Sequence, residues 1–264
     1  MIGRSYSGRM IDPTQAISGF VVGAIVGVTG VGGGSLMTPI LVLLFGIHPA
    51  TAVGTDLLHA AITKAGGTVV HARNGNVDWR VVYRLAAGSV PAAVVTLLSL
   101  RDVAHGSGSS KIMTTTLGFM LLLTATMLIF RSQLRRLTGD HRVGPARHPA
   151  FTVLTGAILG VVVSLSSVGA GALGITALFI LYPLLPASRI VGSDVAHAVP
   201  LALVAGFGYW LLGAINWTLL GSLLVGSLPG VYLGSQLSAR LPELAQRSLL
   251  AVTLSMVGVR LIAL

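Results

Sequence analysis

Two aspartates inside apolar stretches are the residues of this sequence best suited to carry chemistry. Asp56 and Asp194 are the only carboxylates that fall within apolar runs, and His59 and His197 follow them at a spacing of three. On a helix this spacing places each pair on one face. Because an ionisable side chain inside a membrane span is costly, it is a functional candidate. We predict that these four residues serve coupling or gating.

A structural alternative for the two aspartates is helix capping. Gly54 and Thr55 precede Asp56, and a short polar residue ahead of an apolar run is typical of a helix start. In that alternative the histidine only satisfies the carboxylate. The two roles are compatible, because a capped helix start that faces a cavity is still a binding element.

The composition identifies lipid as the solvent for most of the chain. Of the 264 residues, 53% are hydrophobic and only 9% are charged, whereas a soluble domain carries roughly 25% charged residues. This excludes a soluble enzyme and a disordered tail protein, and the absence of cysteine excludes a disulfide scaffold. The net charge of +10 is spread over short loops rather than one patch, so we expect no nucleic-acid partner.

The apolar residues divide into eight runs, of which six have the ~20 residues that a spanning helix needs. The other two are longer, and a glycine or serine cluster interrupts each of them. Such clusters favour unwound backbone, which membrane proteins tolerate only where protein or a cavity satisfies it. The eight runs are 16–47, 53–72, 81–100, 112–130, 151–185, 190–211, 218–237 and 244–262.

The two halves of the chain repeat each other. The stretch from Gly54 to Ala60 returns from Gly192 to Ala198, and two further landmarks return at the same offset of 138 residues. We therefore predict an all-α polytopic membrane protein with two homologous halves, 1–131 and 151–264, joined by a basic linker at 132–150. Each half would be a broken or re-entrant helix pair followed by three transmembrane helices, and an odd number of crossings would invert the second half.

Basic residues predict the orientation in the membrane. With the 131–150 loop in the cytoplasm, 11 Lys and Arg residues lie inside and 5 outside, Lys64 left aside. The count is the same whether each long run is a hairpin or a single crossing, so it does not choose between them. We expect hairpins, because the two pieces of each broken run are short for a full span.

The two interrupted loops predict an anion site. Each would present free backbone N–H groups at the start of a half-helix, where the partial positive charge suits an oxyanion. In the alternative, the glycines only let the turn pack tightly. Lys64 would attract the same anion, with pairing to the aspartates or snorkelling as its alternatives. The predicted substrate-binding residues are Thr29, Gly32, Gly33, Gly34, Ser35, Ser166, Ser167, Gly169, Gly171 and Lys64.

Two further features of the sequence concern helix packing and the class of protein. Gly19 and Gly23 in the first half, and Gly156 and Gly160 in the second, have the four-residue spacing of close helix packing. The sequence contains no P-loop, no Gly-x-Ser-x-Gly elbow and no His-Glu-x-x-His motif. We therefore expect neither an enzyme nor a primary pump, and we predict no cofactor.

These features resemble the sulfite exporter TauE/SafE family of membrane permeases. The resemblance rests on the glycine-rich run ahead of Pro39 and on the Pro49–Ala52 turn that leads into Gly54 and Thr55, with weaker echoes in the second half. It implies transport of small sulfur oxyanions or organosulfonates, such as sulfite or sulfoacetate, across the bacterial inner membrane. It also implies that both interrupted loops lie near the substrate path.

Our leading hypothesis is a multi-pass secondary transporter for a small anion, embedded in the lipid bilayer. Alternating access would operate around a midplane site, and the Asp and His residues could carry a coupling proton. The alternatives are a divalent cation transporter that uses the same side chains and a membrane-embedded metal hydrolase. The sequence does not decide the exact substrate, the direction of transport, or between a monomer and a homodimer.

Overall fold

The protein is a bundle of helices in the part that a computed structural model describes, residues 16–17, 19–24, 34–43, 45–104, 114–126, 129–130, 149–169, 171–238 and 243–263. Within these ranges there is no strand. Helix α1 is described at 16–17 and 19–24. The further helices are α2 (Gly34–Leu43), α3 (Pro49–Arg73), α4 (Trp79–Ala104), α5 (Thr114–Thr126), α6 (Pro149–Ser166), α7 (Ala172–Leu181), α8 (Ala187–Leu211), α9 (Trp217–Ser238) and α10 (Glu243–Ile262).

Four of these helices are long and apolar enough to cross a membrane: α4, α6, α8 and α9. Helix α3 has the same length as α8, 25 residues, but Lys64, His71 and Arg73 make it more polar. Each of the six ordinary apolar runs corresponds to one helix, because such a run has the length that a bilayer imposes. The predicted all-α, multi-pass membrane protein is confirmed.

The second long run is broken where its serine and glycine cluster lies. Helix α6 ends at Ser166, and the backbone then adopts positive φ at Ser167 (55°), Gly169 (111°) and Gly171 (130°). Helix α7 follows with 10 residues, about 15 Å of helix, which is half of the ~30 Å hydrocarbon core. In the first half, α2 also has 10 residues, while Thr29, Gly32 and Gly33 lie outside the described residues.

The alternative in which the aspartates cap helices is wrong. Helix α3 begins at Pro49, seven residues before Asp56, and α8 begins at Ala187 directly after Pro186. Proline starts helices well, because its missing N–H is not needed in the first turn. The segment that the sequence analysis took for a turn is therefore the first turn of α3, and both aspartates lie inside helices.

Glycines let helices from the two halves pack backbone to backbone. On α6, Gly156 lies against Leu85 and Gly160 against Ser89 of α4. The corresponding glycines of α1, Gly19 and Gly23, lie against Leu223 and Ser227 of α9. The predicted packing role of these four glycines is confirmed, and each contact joins one half to the other.

The central pair of helices, α3 and α8, runs antiparallel. Gly54 near the start of α3 lies against Tyr209 near the end of α8, Leu58 lies against Gly206, and His71 near the end of α3 lies against Gly192. These helices occupy equivalent positions in the two halves. The inverted arrangement of the halves stays a prediction. It requires that α3 and α8 run in opposite directions, as these contacts show.

The ends of the bundle differ in charge. Arg73 and Arg80 flank the turn between α3 and α4, which itself contains Asp78, and the Nε atom of Arg189 donates to the Gly75 carbonyl of that turn at 3.4 Å. The equivalent turn at 212–216, between α8 and α9, has no charged residue. This difference agrees with a cytoplasmic position for the basic turn.

Single cysteines will test the inverted arrangement, because the natural chain has none. We expect a membrane-impermeant maleimide to label Asn74→Cys only from the cytoplasmic side and Leu212→Cys only from the opposite side. His48→Cys, which precedes α3, serves as a control and should behave like Leu212→Cys. Labelling of Asn74→Cys and Leu212→Cys from one side would contradict the arrangement.

Two glycines of α9 will test the interhelix packing. A Cβ atom at Gly226 would overlap the Ala16 backbone, whereas one at Gly221 would meet nothing within 4 Å. We expect Gly226→Ala to destabilise the protein by about 1–3 kcal/mol through overpacking. Gly221→Ala should be neutral or stabilising by up to about 1 kcal/mol. Thermal unfolding in detergent measures both, and equal effects would contradict the packing model.

Candidate functional site

The ionisable residues singled out in the sequence lie in the interior of the bundle. Asp56, His59 and Lys64 project from α3, and Asp194 and His197 from α8. Asp56 is fully buried, Asp194 and both histidines are 1% exposed, and Lys64 is 8% exposed. Because α3 and α8 pack antiparallel against each other, each contributes one Asp-x-x-His face to a shared polar interior.

This interior lies at the middle of the membrane. His59 and His197 bond to Ser227 and Ser89, each ten residues after the tryptophan that opens α9 or α4. Ten residues of helix measure about 15 Å. Since Trp and Tyr favour the membrane–water interface, the serines lie near the midplane of a core of ~30 Å.

Each histidine bonds to a serine of the other half. His59 Nε2 and Ser227 Oγ are 2.6 Å apart, and His197 Nε2 and Ser89 Oγ are 2.8 Å apart. The two pairs are equivalent under the 138-residue offset. The sequence analysis recognised Ser89 and Ser227 as repeat landmarks but not as functional residues. Both halves place a serine at this midspan position, and that repetition was the signal that could have identified the two residues.

A second pair of equivalent hydrogen bonds fixes the starts of α4 and α9. Ser193 Oγ accepts a bond from Asp78 N at 2.8 Å, and Thr55 Oγ1 accepts one from Asn216 N at 3.2 Å. Asp78 and Asn216 in turn accept backbone N–H bonds in the first turns of α4 and α9. The polar residues next to the aspartates thus anchor each half on the other.

Asp56 is oriented by α2. The Oδ2 atom of Asp56 accepts hydrogen bonds from the Thr38 hydroxyl at 2.5 Å and the Thr38 backbone N–H at 3.2 Å. Its Oδ1 atom is buried without a hydrogen-bond partner. Asp194, its equivalent in the second half, has its carboxylate against the backbone of Gly174 in α7. The sequence analysis missed Thr38, because its role depends on how α2 meets α3.

Lys64 lies within electrostatic reach of both aspartates. Its ammonium group interacts electrostatically with both Asp194 and Asp56, and Ala202 occupies the equivalent place in the second half. The buried position shows that the snorkelling alternative is wrong. A single lysine thus faces a carboxylate from each half.

The three serines at the end of α6 and in the loop after it have two different roles. Ser166 Oγ accepts from Val168 N at 3.1 Å and donates to the Val162 carbonyl at 2.7 Å, so it closes the turn. The hydroxyls of Ser164 and Ser167 are buried without a hydrogen bond. Ser167 lies beside the Asp56 carboxyl group, which brings the second-half loop to the first-half aspartate.

The predicted glycines near these serines shape the backbone. Gly169 and Gly171 adopt positive φ, and their carbonyls accept the first N–H bonds of α7. Gly34 and Ser35 lie at the start of α2. Thr29, Gly32 and Gly33 fall outside the described residues, so their predicted binding role stays a prediction.

The described residues do not assemble a multidentate metal centre. Over the described ranges, no three His, Asp or Glu side chains lie close enough together to hold a metal ion. A divalent cation transporter or a metal hydrolase would need such a donor set. The described interior therefore gives these two alternatives no support.

A family model for the sulfite exporter TauE/SafE matches residues 16–261. The chain belongs to this family. It is similar to the "Probable membrane transporter protein YjnA" of Bacillus subtilis (strain 168), with 38% identity over 93% of this chain and 98% of that protein. It is also similar to the same organism's "Probable membrane transporter protein YdhB", with 29% identity over 92% of this chain and 97% of the relative. No solved structure matches it significantly.

Family membership confirms the resemblance read from the glycine-rich run. The protein is a TauE/SafE family membrane transporter. The names of these two relatives state no substrate. The assignment of individual residues to substrate or coupling therefore stays a prediction.

Replacement of one serine will test the cross-half bonds. Ser227→Ala leaves His59 Nε2 buried without its partner, which we expect to cost about 1–3 kcal/mol of stability. Ser222→Ala is the matched control, because this buried serine of the same helix bonds its own Thr218 carbonyl at 2.9 Å. Thermal unfolding measures the stability of both variants. A smaller loss of stability in Ser227→Ala than in Ser222→Ala would contradict the role of the bond.

Proposed function

We propose that this TauE/SafE transporter moves a small sulfur oxyanion or organosulfonate across the bacterial inner membrane by alternating access. The observation that carries the proposal is Lys64, a buried lysine near the midplane that interacts with a carboxylate from each half. A cation at that depth has a function by default, and a small anion is the cargo that it suits.

Lys64 is arranged so that the site is stable without cargo. Its charge is offset by Asp56 and Asp194, which lie within electrostatic reach. An arriving anion can compete for the ammonium group, and the attraction is strong because the surroundings have a low dielectric constant. The hydroxyls of Ser164 and Ser167 are buried without a hydrogen bond, so they are donors available to the oxygens of an anion in this interior.

The choice of a sulfur anion rests on family membership and on donor chemistry. A sulfonate presents three acceptor oxygens in a pyramidal arrangement, whereas a carboxylate presents two in a plane. Donors that come from α3 and from the loop after α6 approach from different directions, which suits the three-oxygen head group. The chemistry inferred here agrees with the description of the family as sulfite exporters.

Alternating access is supported by how the halves meet. The bonds of His59 with Ser227 and of His197 with Ser89 are equivalent, and both are formed in this structure. If the halves are inverted, the symmetry that relates the halves exchanges the two pairs near the midplane. Rocking of one half against the other would then open one pair while the other is retained.

A ligand panel with purified protein will test the substrate class. We expect sulfite and sulfoacetate to stabilise the protein and malonate, the dicarboxylate analogue of sulfoacetate, to do so far less. A ligand at 100 times its Kd adds about 2.7 kcal/mol, which thermal unfolding detects. Lys64→Gln should weaken sulfonate binding at least about tenfold, equivalent to 1.4 kcal/mol, and Lys64→Arg should retain more of it.

The control for general charge is Arg84→Gln, because Arg84 lies near the basic end of α4 and is partly exposed. This variant should bind sulfonate like the natural protein. Equal stabilisation by malonate and sulfoacetate, or full sulfonate binding by Lys64→Gln, would contradict the proposal. Uptake of sulfoacetate into proteoliposomes should follow the binding results.

A further inference from the structure

A carboxyl oxygen of Asp56 and the hydroxyl of Ser167 mark a second site within the proposed anion-binding interior. Asp56 Oδ1 and Ser167 Oγ are both buried without a well-aligned hydrogen bond, and the Ser167 hydroxyl lies within interaction range of the Asp56 carboxyl group. We propose that Asp56 and Ser167 bind one Na⁺ ion, which is the coupling ion of the transporter. Its role in coupling rests on the proposed function, whereas the binding of Na⁺ does not.

The Asp56 carboxylate is held in an orientation that suits ion binding. Both hydrogen bonds from Thr38 go to Oδ2, so they set the orientation of Asp56 and leave Oδ1 available. Asp56 is fully buried and Ser167 is 4% exposed. A buried oxygen that lacks a partner costs roughly 1–3 kcal/mol. A cation between the two atoms would satisfy both of them.

The loop holds Ser167 in an unusual conformation. Its φ is 55°, the one non-glycine residue with positive φ in the described chain. Ser166 and the bond from Ser167 N to the Val163 carbonyl, 2.8 Å long, maintain this turn. Left-handed backbone costs an L-residue roughly 1–2 kcal/mol and tends to mark functional sites. The carbonyl end of α6 also meets the site, and its partial negative charge favours a cation.

The donor set favours a monovalent ion. One carboxylate and one hydroxyl supply hard oxygen ligands, to which exposed carbonyls of unwound backbone are commonly added in transporters. Divalent ions require more carboxylates, and over the described ranges no third acid or histidine completes such a cluster. The interaction of Lys64 with Asp56 further disfavours a divalent charge.

The site has no equivalent in the other half. Ser167 corresponds to Gly30 at the 137-residue offset of the interrupted loops, so the first half has no hydroxyl in its place. Asp194 lies against the backbone of Gly174. Because the serine hydroxyl has no counterpart, we expect one Na⁺ per chain.

Na⁺ at Asp56 would couple directly to the anion. The ion neutralises one of the two carboxylates that interact with Lys64, so the ammonium group becomes more available to an anion. Anion binding in turn favours the Na⁺-loaded state, since the coupling between two ligands is reciprocal. The physical basis is charge balance in a low-dielectric interior.

The experiment measures Na⁺ binding in the absence of any anionic substrate. The Tm of the purified full chain is recorded while NaCl replaces KCl or choline chloride at constant chloride and ionic strength. We expect Tm to rise with the logarithm of the Na⁺ concentration, and the rise should be lost in Asp56→Asn and in Ser167→Gly. Ser167→Gly removes the hydroxyl and relieves the positive φ, so it should fold. Ser222→Ala is the matched serine control and should keep the response.

Three results would overturn the site. One is no Na⁺ response at all, with stabilisation by acid pH alone, which would favour the proton. Another is an equal response to K⁺ and choline. The third is a full Na⁺ response in both Asp56→Asn and Ser167→Gly. The sulfonate panel in choline chloride is a separate readout, so failure of Na⁺ binding leaves the anion proposal measurable. A rise in sulfonate affinity with Na⁺ would support the coupling.

Discussion

Every polar group in the hydrocarbon core must find its partner within the protein, and the arrangement of this molecule follows from that constraint. In water, Asp56 or His197 could exchange protein contacts for solvent at little cost. At the midplane they cannot, because removal of a charge or an N–H group from all partners costs several kcal/mol. The polar residues therefore select which helices meet and in which register.

Several buried side-chain hydrogen bonds join the two halves. The histidines, Thr55 and Ser193 all contact groups from the opposite half, and the glycine contacts of α1 and α6 do the same. Neither half has a complete set of partners alone. Under the proposed alternating access, motion between the halves would exchange one set of equivalent bonds for another and leave few groups unpaired.

Departures from symmetry distinguish the surroundings of the two aspartates. Lys64 lies within electrostatic reach of both, but its equivalent in the second half is Ala202, and Ser167, which lies beside Asp56, has Gly30 as its equivalent. A fully symmetric site would hold two identical ligands. Here a cation, a carboxylate held by Thr38 and a strained serine lie on one side of the pseudo-symmetric interior, so anion and cation can be held side by side.

The sequence by itself determined the class of the protein, because a bilayer imposes conditions that can be counted along the chain. Apolar runs near twenty residues predicted the helices, the serine and glycine cluster predicted the break after Ser166, and the glycine-rich run indicated the family. The tertiary structure decided which residues meet. The bonds of His59 with Ser227 and of Asp56 with Thr38 depend on helix packing, and the separate roles of Ser166 and Ser167 depend on a backbone turn. Local patterns record solvation and helix length, whereas partners 18 or 168 residues apart are set only when the helices close around them.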